Sequence, residues 1–251
     1  MKTFIKITGI IFLSILTVSC SFHGKKAEPV RVLLITGGHD FDKDPFYAFM
    51  KSLQGIVVSE VKHPDALAMF RPENRASYDL VMLYDMPEFI DEKGKNDFSD
   101  CLKEGKGLVV LHHAYCSYQG WPEYQKIVGG RYQREEWNDD KGVSHPASTY
   151  KHDVEFRVKV ADTKHPITAG IKDFDILDET YANGCVNPEV HLLLTTDEPS
   201  STPAIAWTNS YGKSKIVTIL LGHDNHAWTN QNFVKLLTQA ILWVNPLMPT
   251  N

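Results

Sequence analysis

The residues best equipped for chemistry in this sequence are histidines that close apolar runs. VRVLLITGGHD (30–40) ends on His39, GKGLVVLHHA (105–114) on His112 and His113, and KIVTILLGHDNHAW (215–228) reaches His223. An imidazole titrates near neutrality, so it can take or give a proton or offer a lone pair to a metal. Glu179, in the polar segment DETY (178–181), is the carboxylate best suited to join them as metal ligand or acid/base. His39, His113, His223 and Glu179 would together form a divalent site with one position open to substrate. Zinc suits the imidazoles, whereas manganese, calcium or magnesium would require more oxygen ligands. No compact spacing such as HExxH encodes the site, and the i,i+3 pair His223 and His226 would serve a metal only on a helix.

These histidines need strand ends to carry them. A continuous apolar run is how a parallel strand buried on both faces reads, and residues 30–36, 56–61, 78–84, 108–111 and 215–221 read as such strands. Helical spacing covers 45–53, with Asp42 or Asp44 as cap, and 91–104 and 232–244; a shorter helix fits 121–128. Strands alternating with helices indicate an α/β, flavodoxin-like, doubly wound and mainly parallel sheet with helices on both faces. Residues 153–160 alternate and read as an antiparallel edge extension, to which 190–195 and 204–208 add strands. Residues 133–149 are polar and aperiodic, a length that suits a functional loop. In open sheets of this kind ligands bind at the strand C-termini, where His39, His112, His113 and His223 fall.

Lys2 and Lys6 precede an apolar stretch, 7–18, too short to span a membrane and typical of a secretory leader. The order Leu16-Thr17-Val18-Ser19-Cys20 resembles the lipobox of bacterial lipoproteins, which implies a signal peptide at 1–19, lipidation of Cys20, a polar tether at 20–29 and one domain at 30–247. The chain would then be exported and membrane-anchored, at the periplasm or the cell surface. Without residues 1–19 the formal charge is −7. There is no basic patch, which excludes nucleic acid as a partner and leaves a neutral small molecule as the easier ligand. Cys101, Cys116 and Cys185 form neither a disulfide framework nor a zinc ribbon.

GGHD after the first strand, LHHA at the elbow, GGRY (129–132), HPI (165–167), DETY and YGKSKIVTILLGHDNHAW (211–228) ahead of a terminal helix resemble the ThuA-like (trehalose utilisation) family, across residues 30–244. The resemblance implies a fold like that of class I glutamine amidotransferases, with His113 where those enzymes carry a nucleophilic cysteine. A cysteine hydrolase is therefore not implied, and Cys116, three residues beyond, should point elsewhere. It also implies action on 3-keto-glycosides, supplied by a partner sugar 3-dehydrogenase, and no nucleotide cofactor. A C3 carbonyl acidifies the C2 proton, so that a base can form an enolate, expel the aglycone and leave an enone for water to attack. A non-catalytic sugar-binding lipoprotein and an amidotransferase-like hydrolase are the alternatives.

His113 is expected over the strand edge, with His112 turned back to satisfy a buried backbone group. Asp178 would point away from Glu179 and be structural. Tyr181, Arg131, Tyr132, Trp207 and Asp224 are candidate substrate contacts, Asp224 equally a helix cap; Trp121 and Trp228 share the stacking role with Trp207 unless they are core. His23, His63, His145, His152, His165 and His191 read as solvated or loop-satisfying.

Overall fold

Successive residues of the central strands feed opposite cores, which gives the sheet two apolar faces. The computed structural model describes Met1 and residues 28–139 and 141–247, so the leader, Cys20 and most of the tether lie outside the described residues. The first half of the chain runs β1 (Val30–Gly37), α1 (Lys43–Ser52), β2 (Ile56–Lys62), β3 (Leu80–Asp85), α2 (Glu92–Lys103) and β4 (Gly107–Leu111). Leu34 of β1, Met82 and Tyr84 of β3 and Leu111 of β4 pack with Phe46 and Met50 of α1, whereas Leu33, Val81, Leu83 and Val110 pack with Phe98 and Leu102 of α2. Asp91 caps α2 by accepting from the Gly94 N–H. Asp42 sits at the cap position of α1 without a side-chain cap bond.

The second half is α3 (Pro122–Val128), β5 (Gly130–Arg131), β6 (Trp137–Asn138), β7 (Ser144–His145), β8 (Thr149–Val160), β9 (Phe174–Ala182), β10 (Cys185–Val186), β11 (His191–Thr195), β12 (Ala204–Tyr211), β13 (Ser214–Ile219), α4 (Asn225–Thr229) and α5 (Gln231–Val244). Nine strands form the main sheet in the order β2-β1-β3-β4-β13-β12-β11-β8-β9. The first five are parallel, the flavodoxin-like order with its switch point between β1 and β3. The last four are joined antiparallel. Among the described residues no helix is long and apolar enough to cross a membrane.

The departures from the sequence reading lie in the extension. β8 begins at Thr149, earlier than residue 153, and the stretch read as a loop at 133–149 contains the β6–β7 hairpin. β9 is a strand that apolar patterning alone did not declare, since Asp178, Glu179 and Thr180 are polar yet buried. Between the pairs Lys151 to Thr180 and Val154 to Asp178 the register shifts, and Asp153 has φ 55°. Such a bulge twists a strand and re-aims its side chains, and this one contains His152.

Candidate functional site

The site is built around the turn that ends β4. His112 has φ 52°, in the left-handed region, a conformation costly for a non-glycine residue and often kept where a side chain must be aimed. Its Nδ1 lies 2.8 Å from the carbonyl oxygen of Leu220. A carbonyl only accepts, so Nδ1 carries a proton, and Nε2 is the nitrogen turned toward the cluster. That Nε2 is 2.8 Å from Glu179 Oε2, 2.9 Å from the Tyr181 hydroxyl and 3.2 Å from His223 Nδ1. His223 Nδ1 is also 3.2 Å from the same Glu179 oxygen. Two imidazoles and a carboxylate thus turn electron pairs toward one point, an arrangement that needs a proton or a cation between them.

Asp178 holds this arrangement in place. Its buried carboxylate accepts from the N–H groups of Gly222 at 2.7 Å, His223 at 3.0 Å and Glu179 at 2.9 Å. The hydroxyl of Tyr84 and the indole N–H of Trp228 both donate to the Gly222 carbonyl, at 3.0 and 2.9 Å. Gly222 has φ 114°, and a Cβ there would stand 2.9 Å from the Phe233 ring, so the tight turn delivering His223 admits no side chain at this residue. Burial raises the Asp178 carboxyl above the usual carboxylate range. Burial pushes Glu179 the same way, but with protons between it and the rings of His112 and His223 those contacts outweigh burial and hold that carboxyl well below the usual range. The hydrogen bond to Glu179 raises His223.

His113 lies beside this set, packed beneath it. It is buried, its ring 4.2 Å from that of Tyr84 and stacked 4.4 Å from that of His39. Among the described residues neither ring nitrogen has a hydrogen-bond partner, and neither does His39 Nδ1. Burial, then repulsion from His112 and His39, pushes His113 well below its ordinary value, and burial lowers His39; both rings are therefore neutral near pH 7. His39 is placed by Gly38, where φ is 80° and a Cβ would fall 2.5 Å from the Met86 carbonyl.

The donors that converge are His112, Glu179 and His223, within 4.8 Å of one another. In the set expected from sequence, His112 therefore replaces His113, and His39 pairs with His113 outside it. The reason is the turn: the residue in the left-handed conformation is His112, and the next side chain passes down onto Tyr84. His112 does satisfy a buried carbonyl, but with one nitrogen only. His152, expected to be merely solvated, is half-exposed with Nδ1 3.7 Å from Glu179 Oε1 and its ring 4.7 Å from that of His223. Only the pairing of β8 with β9 reveals it.

The candidate contacts separate. Tyr181 touches the site through its hydroxyl, and the Tyr132 ring lies 5.8 Å from that of Tyr181 while its hydroxyl donates to Ser148 O. Arg131 is engaged by Gln119, and Asp224 caps α4 by accepting from the His226 N–H. Trp207 is fully buried with its N–H on the Val128 carbonyl, so it is core and not a sugar platform; Trp121 and Trp228 are buried as well. Burial raises the Cys116 thiol, which leaves no thiolate for nucleophilic attack. His63 binds Asp85, His191 binds Asp162, and His165 accepts from the Ile167 N–H.

A family model described as ThuA, trehalose utilisation, matches residues 31–244. No curated protein sequence matches the chain. A structure from Parabacteroides merdae described as ThuA-like superposes with a TM-score of 0.73 at 20% identity, over 89% of this chain and 92% of that one. Another described in the same terms, from Bacteroides uniformis, gives 0.65 at 17%, over 89% and 95%. The β-galactosidase of Rahnella sp. R3 gives 0.51 at 14%, over 84% of this chain but 30% of its own. At these identities the likenesses establish the fold.

Proposed function

Because the chain belongs to the ThuA (trehalose utilisation) family, which implies a carbohydrate-related role, we propose that it is an enzyme cleaving 3-keto-glycosides at the His112–Glu179–His223 cluster. The observation that carries the proposal is the convergence of two imidazoles, one carboxylate and the Tyr181 hydroxyl at the strand C-termini. In the reaction a base removes the C2 proton, the C2–H electrons form the enolate of the C3 ketone, and the enolate expels the C1 substituent, which leaves with a proton. Water then adds to the enone at C1.

The donor set fits a divalent cation. The proton on His112 Nδ1 is anchored by Leu220, which frees Nε2 to ligate, and ligating histidines are commonly oriented through the other nitrogen in this way. A zinc ion held by His112, Glu179 and His223 would supply electrophilic pull on a substrate carbonyl oxygen. His39, neutral and partly exposed, takes the C2 proton, with His113 stacked against it. The Tyr181 hydroxyl donates toward the developing oxyanion, and His152 at the mouth exchanges protons with solvent. Export and lipid anchoring at Cys20, and supply of the ketone by a sugar 3-dehydrogenase, belong to the same proposal. Incubation with a 3-keto-glycoside followed by mass spectrometry should show free aglycone with the wild type and a rate lower by about 100-fold or more for Glu179→Gln. Equal rates for the two proteins, or no aglycone from any 3-keto-glycoside, would refute it.

A further inference from the structure

A second feature is built on the β6–β7 hairpin, away from the histidine cluster. Trp137 pairs with His145 across the two strands, and their rings stack with centroids 4.4 Å apart and planes 19° apart. The indole N–H donates to the Asn183 carbonyl at 3.2 Å, and the imidazole is tied to Asp139 by His145 Nε2 at 3.3 Å. Both rings are thus held at their edges as well as face to face. They stand in the wall of a cavity of about 740 Å³, whose lining includes Gln125, Gln133, Asn183 and Ser201, and none of His112, Glu179 or His223.

The chemistry of this lining selects its ligand. Among the described residues of the lining, the charged side chains are Lys141 and Asp139, and Asp139 already accepts from the N–H groups of Lys141 and Val143. Among them no net charge favours an ion. A fixed indole favours a flat apolar face, and surrounding amides and hydroxyls favour a rim of hydroxyl groups that both donate and accept. A pyranose ring presents these two surfaces at right angles, C–H groups on its face and hydroxyls around its edge. The volume is that of a site for a small ligand, room for more than one sugar ring.

We infer that the cavity beside Trp137 and His145 is a binding site for neutral saccharides, separate from the histidine cluster. The inference does not rest on the proposed reaction. The cavity includes Asn183 and Gly184, which directly follow β9, the strand that carries Glu179 and Tyr181, so a saccharide bound here is seated on the chain segment next to the cluster.

The test is titration of the full chain with trehalose, maltotriose and cellotriose, read by tryptophan fluorescence and by saturation-transfer NMR. At least one sugar should bind saturably in the millimolar range or tighter, with Trp137→Ala weakening it by about tenfold or more and Trp137→Phe recovering part of the loss. Gln133→Ala, which leaves the ring pair in place, should weaken binding by about threefold or more. His223→Ala should change it by less than about twofold, so loss of the proposed catalysis and loss of this site are read separately. Absence of saturable binding by all three sugars, or equal affinity in the wild type, Trp137→Ala and Gln133→Ala, overturns the inference, as does loss of binding in His223→Ala alone.

Discussion

Replacing Asp178 with alanine should cost the protein about 3–5 kcal/mol and disarm the cluster at the same time. Its carboxylate accepts three backbone N–H groups in a fully buried setting. Hydrogen bonds to a charged group contribute roughly 1.5–3 kcal/mol each, and an orphaned buried donor costs about 1–3 kcal/mol. The three share one acceptor and are not additive. Truncation also relieves the burial of a charge that raises this carboxyl, which brings the net loss to about the 3–5 kcal/mol typical of breaking a buried charged arrangement. Against a total of about 5–15 kcal/mol this is large. Asp178→Asn keeps one acceptor but turns an amide N–H toward a donor, and should lose about 1–3 kcal/mol. Urea unfolding with linear extrapolation measures both, with m unchanged if the native state keeps its shape. Below the transition, Asp178→Ala should bind zinc more weakly than the wild type because the His223 N–H has lost its anchor, and Asp178→Asn should weaken it less because its remaining oxygen can keep that bond. A loss under about 1 kcal/mol for Asp178→Ala, with m and zinc affinity as in the wild type, would refute the assigned role.

Elemental analysis and calorimetry should find one zinc per chain, removable by chelator, with a stabilisation of about 2.7 kcal/mol at a hundredfold excess over Kd. His112→Ala and Glu179→Gln should weaken it by about 100-fold or more, while His113→Asn leaves it unchanged; a stoichiometry near zero, or dependence on His113 instead of His112, would sink the assignment. In chelator, stability should fall as pH drops below about 6.5, because His113 and His39 have folded pKa values below their unfolded ones and the unfolded chain takes up the extra protons. His223, shifted upward, contributes with the opposite sense, present below about 6.5 and lost as pH rises through its folded value, while the Glu179 contribution is lost as pH falls below about 4.5. His113→Asn should flatten the profile below about pH 6.5, and an unchanged slope in urea titrations would contradict the burial argument. Cys20→Ser should move the protein from the membrane to the soluble fraction, and an unchanged distribution would remove the lipid anchor from the proposal.

The parallel half of the fold was legible because strands buried on both faces must be apolar throughout, as in 108–111 and 215–221, and because glycines mark the turns that follow. The antiparallel half was less so. Asp178, Glu179 and Thr180 sit buried on β9 because each has a specific partner, and partners across 44 or 67 residues of chain leave no local period to read. The choice between His112 and His113 turned on one backbone angle that neighbouring side chains do not encode. His152 was invisible for a related reason: it nears Glu179 only through a bulge in strand pairing. The histidines read as loop-satisfying did have local partners, such as Asp162 for His191 and Ile167 for His165.

Glu179 comes from the outermost strand of the sheet, whereas His112 and His223 come from the ends of central ones. A chain still emerging from the ribosome therefore owns no part of the cluster as a unit: the carboxylate waits for a histidine more than forty residues downstream, and the sheet must curl its far edge back to the middle before they meet. Under the proposed function, loading with a cation would report that the edge strands have docked, and because Phe156, Val158, Phe174 and Ile176 of those strands lie in the main core, undocking them costs core and cluster together.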